Sequence, residues 1–307
     1  MKILVTGGAG FIGSHVADAL IYDGCEVHVI DDLSTGFECN IPAEAVFHRL
    51  DIRSDAAADL FAREGFDALV HHAAQMDVRK SVADPCFDAD VNVLGFLNLL
   101  EAGSKHGLRR VIFASTGGAI YGEPIAGPQT EDDPLLPVSP YGISKLAAEK
   151  YLAFYAAQYG IASVALRYAN VYGPRQNPHG EAGVVAIFAQ SLLAGKQPVI
   201  HGDGLQTRDY IFVRDVARLN VAAIRYAGSF EAVNAGTRRE TDVVTLFRLL
   251  KTLTGSDARE LHGRAQQGEQ RRSVLCAEKA ERLFGWCAEV SFEDGLRETV
   301  RWFAKRT

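Results

Sequence analysis

Short apolar runs alternate along this chain with longer stretches in which apolar residues recur at helical spacing. Lys2 to Thr6 is a β-branched run that ends in glycines. Phe11 to Tyr22 follows with Phe11, Ile12, Val16, Ala19 and Leu20 on one helical stripe. Further apolar runs lie at Val27 to Ile30, Val46 to Leu50, Ala68 to Val70, Val111 to Ala114 and Val164 to Leu166, each separated from the next by a loop or a helical pattern. Strands that alternate with helices need crossover connections, so the pattern predicts an α/β chain with a doubly wound, largely parallel sheet.

Two longer helices are predicted, Phe87 to Lys105 and Pro140 to Tyr159. Each is long enough to cover the sheet and still present an outer face, which suits either a homodimer interface or simple core packing. After Asn170-Val171-Tyr172-Gly173-Pro174 the alternation fades into loops, with helices expected near Gly183 to Ala194, Asp215 to Tyr226, Asp242 to Leu253 and Phe292 to Phe303. The expected organisation is a sheet domain over residues 1–172 and a smaller α/β substrate domain over 173–307, with a boundary good to about ten residues and a chain able to thread back into the sheet.

Composition narrows the function classes. The chain has 307 residues, 48% of them hydrophobic, with a formal charge of −6. Its basic residues occur as isolated pairs such as Arg109-Arg110 and Arg271-Arg272, not as a stripe that would displace counterions from a nucleic acid. No apolar run approaches the roughly 18 residues of a membrane span. The five cysteines are scattered without a Cys-x-x-Cys, which points to neither a disulfide framework nor a zinc site, and a cytoplasmic location is expected. His71-His72 could suggest a metal, but strand alternation sends the rings to opposite faces, so no metal is expected.

The chemistry begins at Thr6-Gly7-Gly8-Ala9-Gly10-Phe11-Ile12-Gly13. Gly7, Gly10 and Gly13 stand between the first strand and the first helix, where a tight turn, close approach of backbone to a pyrophosphate and close helix–strand packing each exclude a Cβ. Asp31 ends the second strand about twenty residues on, placed to accept hydrogen bonds from ribose hydroxyls and to repel a 2′-phosphate. The combination predicts a Rossmann-type domain that prefers NAD to NADP. Asp51 and Ile52, beyond the third strand, are candidates for the adenine edge, and Asp51 serves equally well as a strand-end cap.

The second constellation is Ser139-Pro140-Tyr141-Gly142-Ile143-Ser144-Lys145. A capping serine and a proline open the helix, and Tyr141 and Lys145 at i, i+4 share one face. A free phenol, with a pKa of about 10, is a poor base at neutral pH. A cation within about 4–6 Å lowers it by roughly 1–3 units. Tyr141 can then take a proton from an alcohol while hydride leaves the same carbon.

With these residues in place the chain resembles the extended short-chain dehydrogenase/reductase family, in its nucleotide-sugar 4-epimerase branch. The resemblance spans nearly the whole chain: Thr6 to Gly13, Asp31-Asp32, His72-Ala73-Ala74, Asn92, Ser115-Thr116, Tyr121-Gly122, Tyr141 with Lys145, Leu166 to Gly173, and Arg208-Asp209-Tyr210. It implies NAD-dependent 4-epimerisation of a UDP-hexose through a transient 4-keto sugar. It adds Phe11, Ile12, Asp32, Ala73, Ala74 and Asn92 to the cofactor residues. Thr116 is implied as the hydroxyl that orients the sugar, with Ser115 as the second candidate. Asn170, Val184, Gln206, Arg208, Arg271 and Ser273 are implied on the substrate side, with Glu181 to Phe188 lining the nucleotide and sugar end.

Departures from the family pattern separate reaction types. Related dehydratases follow the threonine with Asp-Glu, whereas here Gly117-Gly118 follow and supply no second acid and base. Gln266-Gln267-Gly268-Glu269 stands where many relatives read Arg-Pro-Gly-Asp, leaving Arg264 or Arg271 to replace a phosphate-binding arginine. Ser273 aligns where some relatives carry a tyrosine that narrows the sugar pocket, so N-acetylated hexoses are admitted. Val78-Arg79 hints at a UDP-uronate 4-epimerase, against which Asn170 counts because those relatives often have threonine there. A non-catalytic NAD-binding sensor is the alternative from another class, and the presence of both Tyr141 and Lys145 counts against it.

Overall fold

The computed structural model describes residues 1–124, 127–178, 183–265 and 270–306. In chain order its elements are β1 (Lys2–Thr6), α1 (Phe11–Tyr22), β2 (Glu26–Asp31), β3 (Val46–Arg49), α2 (Asp55–Glu64), β4 (Ala68–His71), α3 (Val78–Ala83), α4 (Pro85–Ala89), α5 (Gly95–Lys105), β5 (Arg110–Thr116), α6 (Gly117–Ile120), α7 (Pro140–Tyr159), β6 (Ala162–Tyr168) and β7 (Asn170–Tyr172). The second half adds α8 (Val184–Leu193), β8 (Ile200–His201), β9 (Thr207–Phe212), α9 (Val213–Ala223), β10 (Phe230–Ala235), β11 (Glu240–Asp242), α10 (Val243–Thr254), β12 (His262–Gly263), β13 (Arg272–Ser273), α11 (Glu278–Phe284) and α12 (Phe292–Ala304).

Seven strands form one parallel sheet in the order β3-β2-β1-β4-β5-β6-β10. Alternating residues of the same strand feed two separate cores. Ile3, Val5, Val29, Val70 and Ile112 pack with Val16, Leu20 and Leu219 of α1 and α9. Leu4, Ile30, Leu69 and Phe113 face the other way, onto Leu60, Phe96, Leu99 and Leu152 of α2, α5 and α7. Burial on both faces is why these strands read as continuous apolar runs. The chain does thread back from the second half into this sheet, through β10, a segment not among the predicted strands, which pairs in parallel with β6, Val233 beside Leu166.

The helix expected over Phe87 to Lys105 starts earlier and is not uniform. Asp84 accepts from the Phe87 N–H at 3.0 Å, and Pro85 occupies the first turn. A π-helical turn, Asp90–Leu94, then separates α4 from α5 and carries the buried Asn92. Such turns are rare and recur at functional sites. α7 runs over the predicted span, opened by Ser139, which accepts from the Gly142 N–H, and closed by Gly160 at φ 68°.

The second half builds a smaller sheet around β9, which pairs with β11, β13 and β7. Phe188, Leu192, Phe247, Leu250, Leu296 and Phe303 of α8, α10 and α12 form its core.

Candidate active site

The strand order of the large sheet reverses between β1 and β4, and ligands of such sheets bind beyond the carboxyl ends of the strands at that point. Gly7 leaves β1 there at φ +69°, and a Cβ built on it would lie 2.6 Å from the Ala73 nitrogen just past β4. A Cβ on Gly13 would come within 2.2 Å of the Gly7 carbonyl oxygen, so α1 rests directly on the turn. Gly10 caps α1 without a side-chain hydrogen bond, and the first turn carries no acidic residue. The helix start therefore presents backbone N–H groups, with Phe11 and Ile12 half-buried beside them, as a dinucleotide pyrophosphate requires.

Asp31 ends β2, and its carboxylate accepts from the Ala9 N–H at 3.0 Å and the Leu33 N–H at 2.8 Å. Burial pushes the carboxyl above its ordinary range against the pull of these two bonds. With two oxygens and about four acceptor sites, it keeps capacity for ribose hydroxyls. Asp32 is exposed and folds onto Ser34, accepting at 2.9 Å from its N–H. Asp51 is engaged by Arg53, whose Nε donates to it at 3.0 Å and whose Nη1 donates to Asp90. Ile52 is buried against Gly95.

The strap after β4 is fixed by two side chains. Thr6 Oγ1 accepts from the Ala73 N–H at 3.1 Å and meets His71 Nδ1 at 2.9 Å. Asn92 bonds both backbone groups of Gln75, next to Ala74, at 2.8 and 2.9 Å. Asn92 thus holds the strap after β4 through the Gln75 backbone. His72 points the other way from His71, to Tyr168 OH at 3.1 Å, as strand alternation requires. Burial first, then the Lys145 charge, pulls His72 down to about 3, so its ring is neutral.

On α7, Tyr141 and Lys145 are one turn apart, with Lys145 Nζ 5.8 Å from the Tyr141 ring centroid and 4.7 Å from that of Phe113. Lys145 is buried and donates to the Ala114 carbonyl of β5 at 2.9 Å. Burial pulls its ammonium down to about 8, opposed by the charges of Asp88 and Glu149. The helix start is held close to β5 because Gly142 lies against α6, where a Cβ would meet the Ala119 oxygen at 2.4 Å.

The two hydroxyl candidates separate. Ser115 donates to Glu149 Oε1 at 2.7 Å inside a buried network in which Arg167 pairs with Glu149 through Nε (3.0 Å) and Nη2 (2.7 Å) and donates to Tyr121 OH. Thr116 is half-buried, caps α6 and accepts from the Ala119 N–H at 3.3 Å. Glu149, Arg167 and Asp88 were absent from the sequence-level site. Glu149 had a signal, since it continues the stripe of Tyr141 and Lys145 by one more turn.

Three of the residues expected on the substrate side meet at β9. Arg208 lies beside Ser273 of β13, and Asn170 of β7 pairs with Tyr210. Ser273 is buried, and its Oγ lies 3.8 Å from a Cβ built on Gly118, which brings β13 to the turn after Thr116. Gln206 is buried and donates to the His201 carbonyl at 3.2 Å. Val184 opens α8 against the core of the smaller sheet. Arg271 is exposed and paired with Asp203 at 3.0 Å, and the Arg264 carbonyl meets His201 Nδ1 at 3.3 Å. Glu181 and the Gln266-Gln267-Gly268-Glu269 segment lie outside the described residues.

Comparison with known proteins agrees with this geometry. The family model described as NAD dependent epimerase/dehydratase family matches residues 3–236. A UDP-glucose 4-epimerase of Mycolicibacterium smegmatis is 42% identical over 313 residues, covering 100% of both chains. A crystal structure of UDP-glucose 4-epimerase with UDP-glucose from Thermotoga maritima superposes with TM-score 0.97 at 46% identity, covering 100% of this chain and 99% of that one. A Thermus thermophilus UDP-glucose 4-epimerase in complex with NAD gives TM-score 0.93 at 43% identity over 99% of each chain. On sequence, fold and site together, the chain belongs to the NAD-dependent epimerase/dehydratase family.

Proposed function

We propose that the chain interconverts UDP-glucose and UDP-galactose by NAD-dependent epimerisation at C4. The observation that carries this reading is the placement of Tyr141 and Lys145 on one face of α7 against the end of β5. Bound NAD supplies the hydride acceptor and donor for C4. Tyr141, with Lys145 favouring its phenolate, takes the O4 proton as the alcohol becomes a ketone and returns it when the sugar presents its other face. Thr116 orients O4, and Gly117-Gly118 leave no further acid and base with which to eliminate water. In this reading residues 1–172 hold NAD, while Asn170, Arg208 and the segment 173–307 hold the diphosphate and sugar, Arg208 by its fork of donors.

Ser273 favours a second substrate class. Ser273 is smaller by a whole ring than the tyrosine that some relatives carry there, which suits an acetamido group at C2.

The reading includes a cytoplasmic homodimer. Five free cysteines suit a reducing compartment. On α7, Ile143, Tyr151 and Phe154 recur on one outward face, exposed by 56%, 41% and 53%. Such an apolar stripe on a long helix matches the helix-on-helix faces of symmetric dimers.

The test is incubation of the purified protein with a panel of UDP-sugars and no added cofactor. Epimer formation from UDP-glucose or UDP-galactose is expected, and failure with every UDP-sugar overturns the reading.

A further inference from the structure

Asp88 takes no part in the reading above, although its carboxylate is fully buried beside the catalytic helix. Its Oδ1 accepts from Gln75 Nε2 at 2.9 Å and Asn92 Nδ2 at 3.0 Å, and its Oδ2 from Ser144 Oγ at 2.7 Å. The three donors come from the cofactor strap after β4, the π-helical turn and α7. All three are neutral, so they satisfy the oxygens without balancing the charge. A buried carboxylate held this way persists where a cation nearby offsets the loss of solvation.

That cation is Lys145, which follows Ser144. The groups facing it come from every element packed around it. Tyr141 and Glu149 lie on its own helix, and the Ala114 carbonyl and the Phe113 ring on β5. His71 ends β4 and His72 follows it; the Lys145 charge acts on both rings, and burial holds both neutral. Asp88 of α4 reaches α7 at the neighbouring Ser144, and its charge acts on the ammonium. Glu149 is already balanced by the bidentate Arg167. Asp88 is therefore the carboxylate whose charge is left for Lys145, and of the two it acts the more strongly on the ammonium.

We propose that Asp88 is a positioning residue for the reaction: its carboxylate is the counter-charge that keeps Lys145 protonated beside Tyr141. The proposal rests on the reading of Tyr141 and Lys145 as the acid–base pair. Burial has brought Lys145 to about 8, within reach of working pH, so the loss of one opposite charge changes how much of the enzyme carries the cation.

The test compares Asp88→Asn, which removes the charge and keeps the shape, with Ser144→Ala, which removes the tether and keeps the charge. Protein labelled with carbon-13 at the lysine ε position is titrated by NMR, with the Lys145 resonance assigned by its loss in Lys145→Arg. This readout needs no turnover and stays valid if the chain epimerises no UDP-sugar. In Asp88→Asn the Lys145 titration moves down by roughly one pH unit, and the alkaline limb of the kcat profile moves with it. In Ser144→Ala both stay near their native positions. Should Asp88→Asn not fold, Asp88→Ser, which keeps an oxygen for the same donors, is measured in its place. A Lys145 titration unchanged in a folded Asp88 variant, or one shifted equally by Ser144→Ala, overturns the proposal. A shifted titration with an unmoved kcat limb overturns its link to the reaction.

Discussion

Lys145 Nζ donates to the Ala114 carbonyl at 2.9 Å, and this bond ties the helix that carries Tyr141 to the strand that ends at Thr116. The bond places the cation at the root of the candidate site, where burial leaves it only weakly held in its charged form. Together with the Ser115–Glu149 hydrogen bond, it sets how α7, with Tyr141 and Lys145, lies against the end of β5 and Thr116.

In the proposed reading Tyr141→Phe removes the proton acceptor and keeps the ring. Turnover is expected to fall by roughly 100- to 10,000-fold, the usual worth of a positioned acid–base group. The circular-dichroism spectrum and the NAD released by acid should match the native protein. Lys145→Ala should be comparably severe. Near-native turnover in Tyr141→Phe would remove the catalytic assignment.

Gly13→Ala tests the cofactor turn. The added methyl would stand 2.2 Å from the Gly7 oxygen, so α1 must move off the turn. A destabilisation of about 1–3 kcal/mol is expected, as for other overpacked sites. Loss of NAD during gel filtration should accompany it. A variant that keeps full cofactor content would show that the turn does not contact the dinucleotide.

Acidification should destabilise the fold through His15. Its Nε2 meets the Pro174 carbonyl at 2.9 Å, and burial pulls the imidazole from 6.5 down to about 4. Between those values the unfolded chain binds the proton and the folded chain does not, so stability falls as pH falls through the window and is flat above it. His72, pulled to about 3, extends the trend to lower pH. Melting temperatures at pH 7, 5.5 and 4.5 should drop more steeply in the native protein than in His15→Gln. Parallel curves would rule His15 out.

Ser273→Tyr should narrow the pocket. The native protein is expected to epimerise both UDP-glucose and UDP-N-acetylglucosamine. The variant should lose the acetamido sugar selectively, with the ratio of kcat/KM shifting by roughly 10- to 200-fold. Equal loss on both substrates would mean that residue 273 does not discriminate at C2.

Phe154→Asp places a charge in the exposed stripe of α7. If that stripe is the dimer interface, sedimentation velocity should show a dimer for the native protein and a monomer for the variant. A variant that remains dimeric places the contact elsewhere.

Local spacing made much of this protein legible. Gly7, Gly10 and Gly13 lie within seven residues of one another, and Tyr141 and Lys145 within one helical turn, so sequence distance and spatial distance coincide. The bounds of α7 were readable from Ser139, Pro140 and Gly160, because caps act on the adjacent turn. The parallel sheet followed from alternating apolar runs, whose period does not depend on what they pack against. Contacts between distant segments were decided by the tertiary structure. β10 enters the large sheet because its edge pairs with β6, a choice that no local pattern records. Ser115 is turned to Glu149 and Thr116 to the start of α6 because strand alternation acts on whatever each face meets. Arg167 meets Glu149, and Asp88 meets Ser144, only after three separate elements, α4, α7 and β6, have packed. A buried charge is settled by partners far along the chain, so its identity is written in the sequence while its role exists only in the fold.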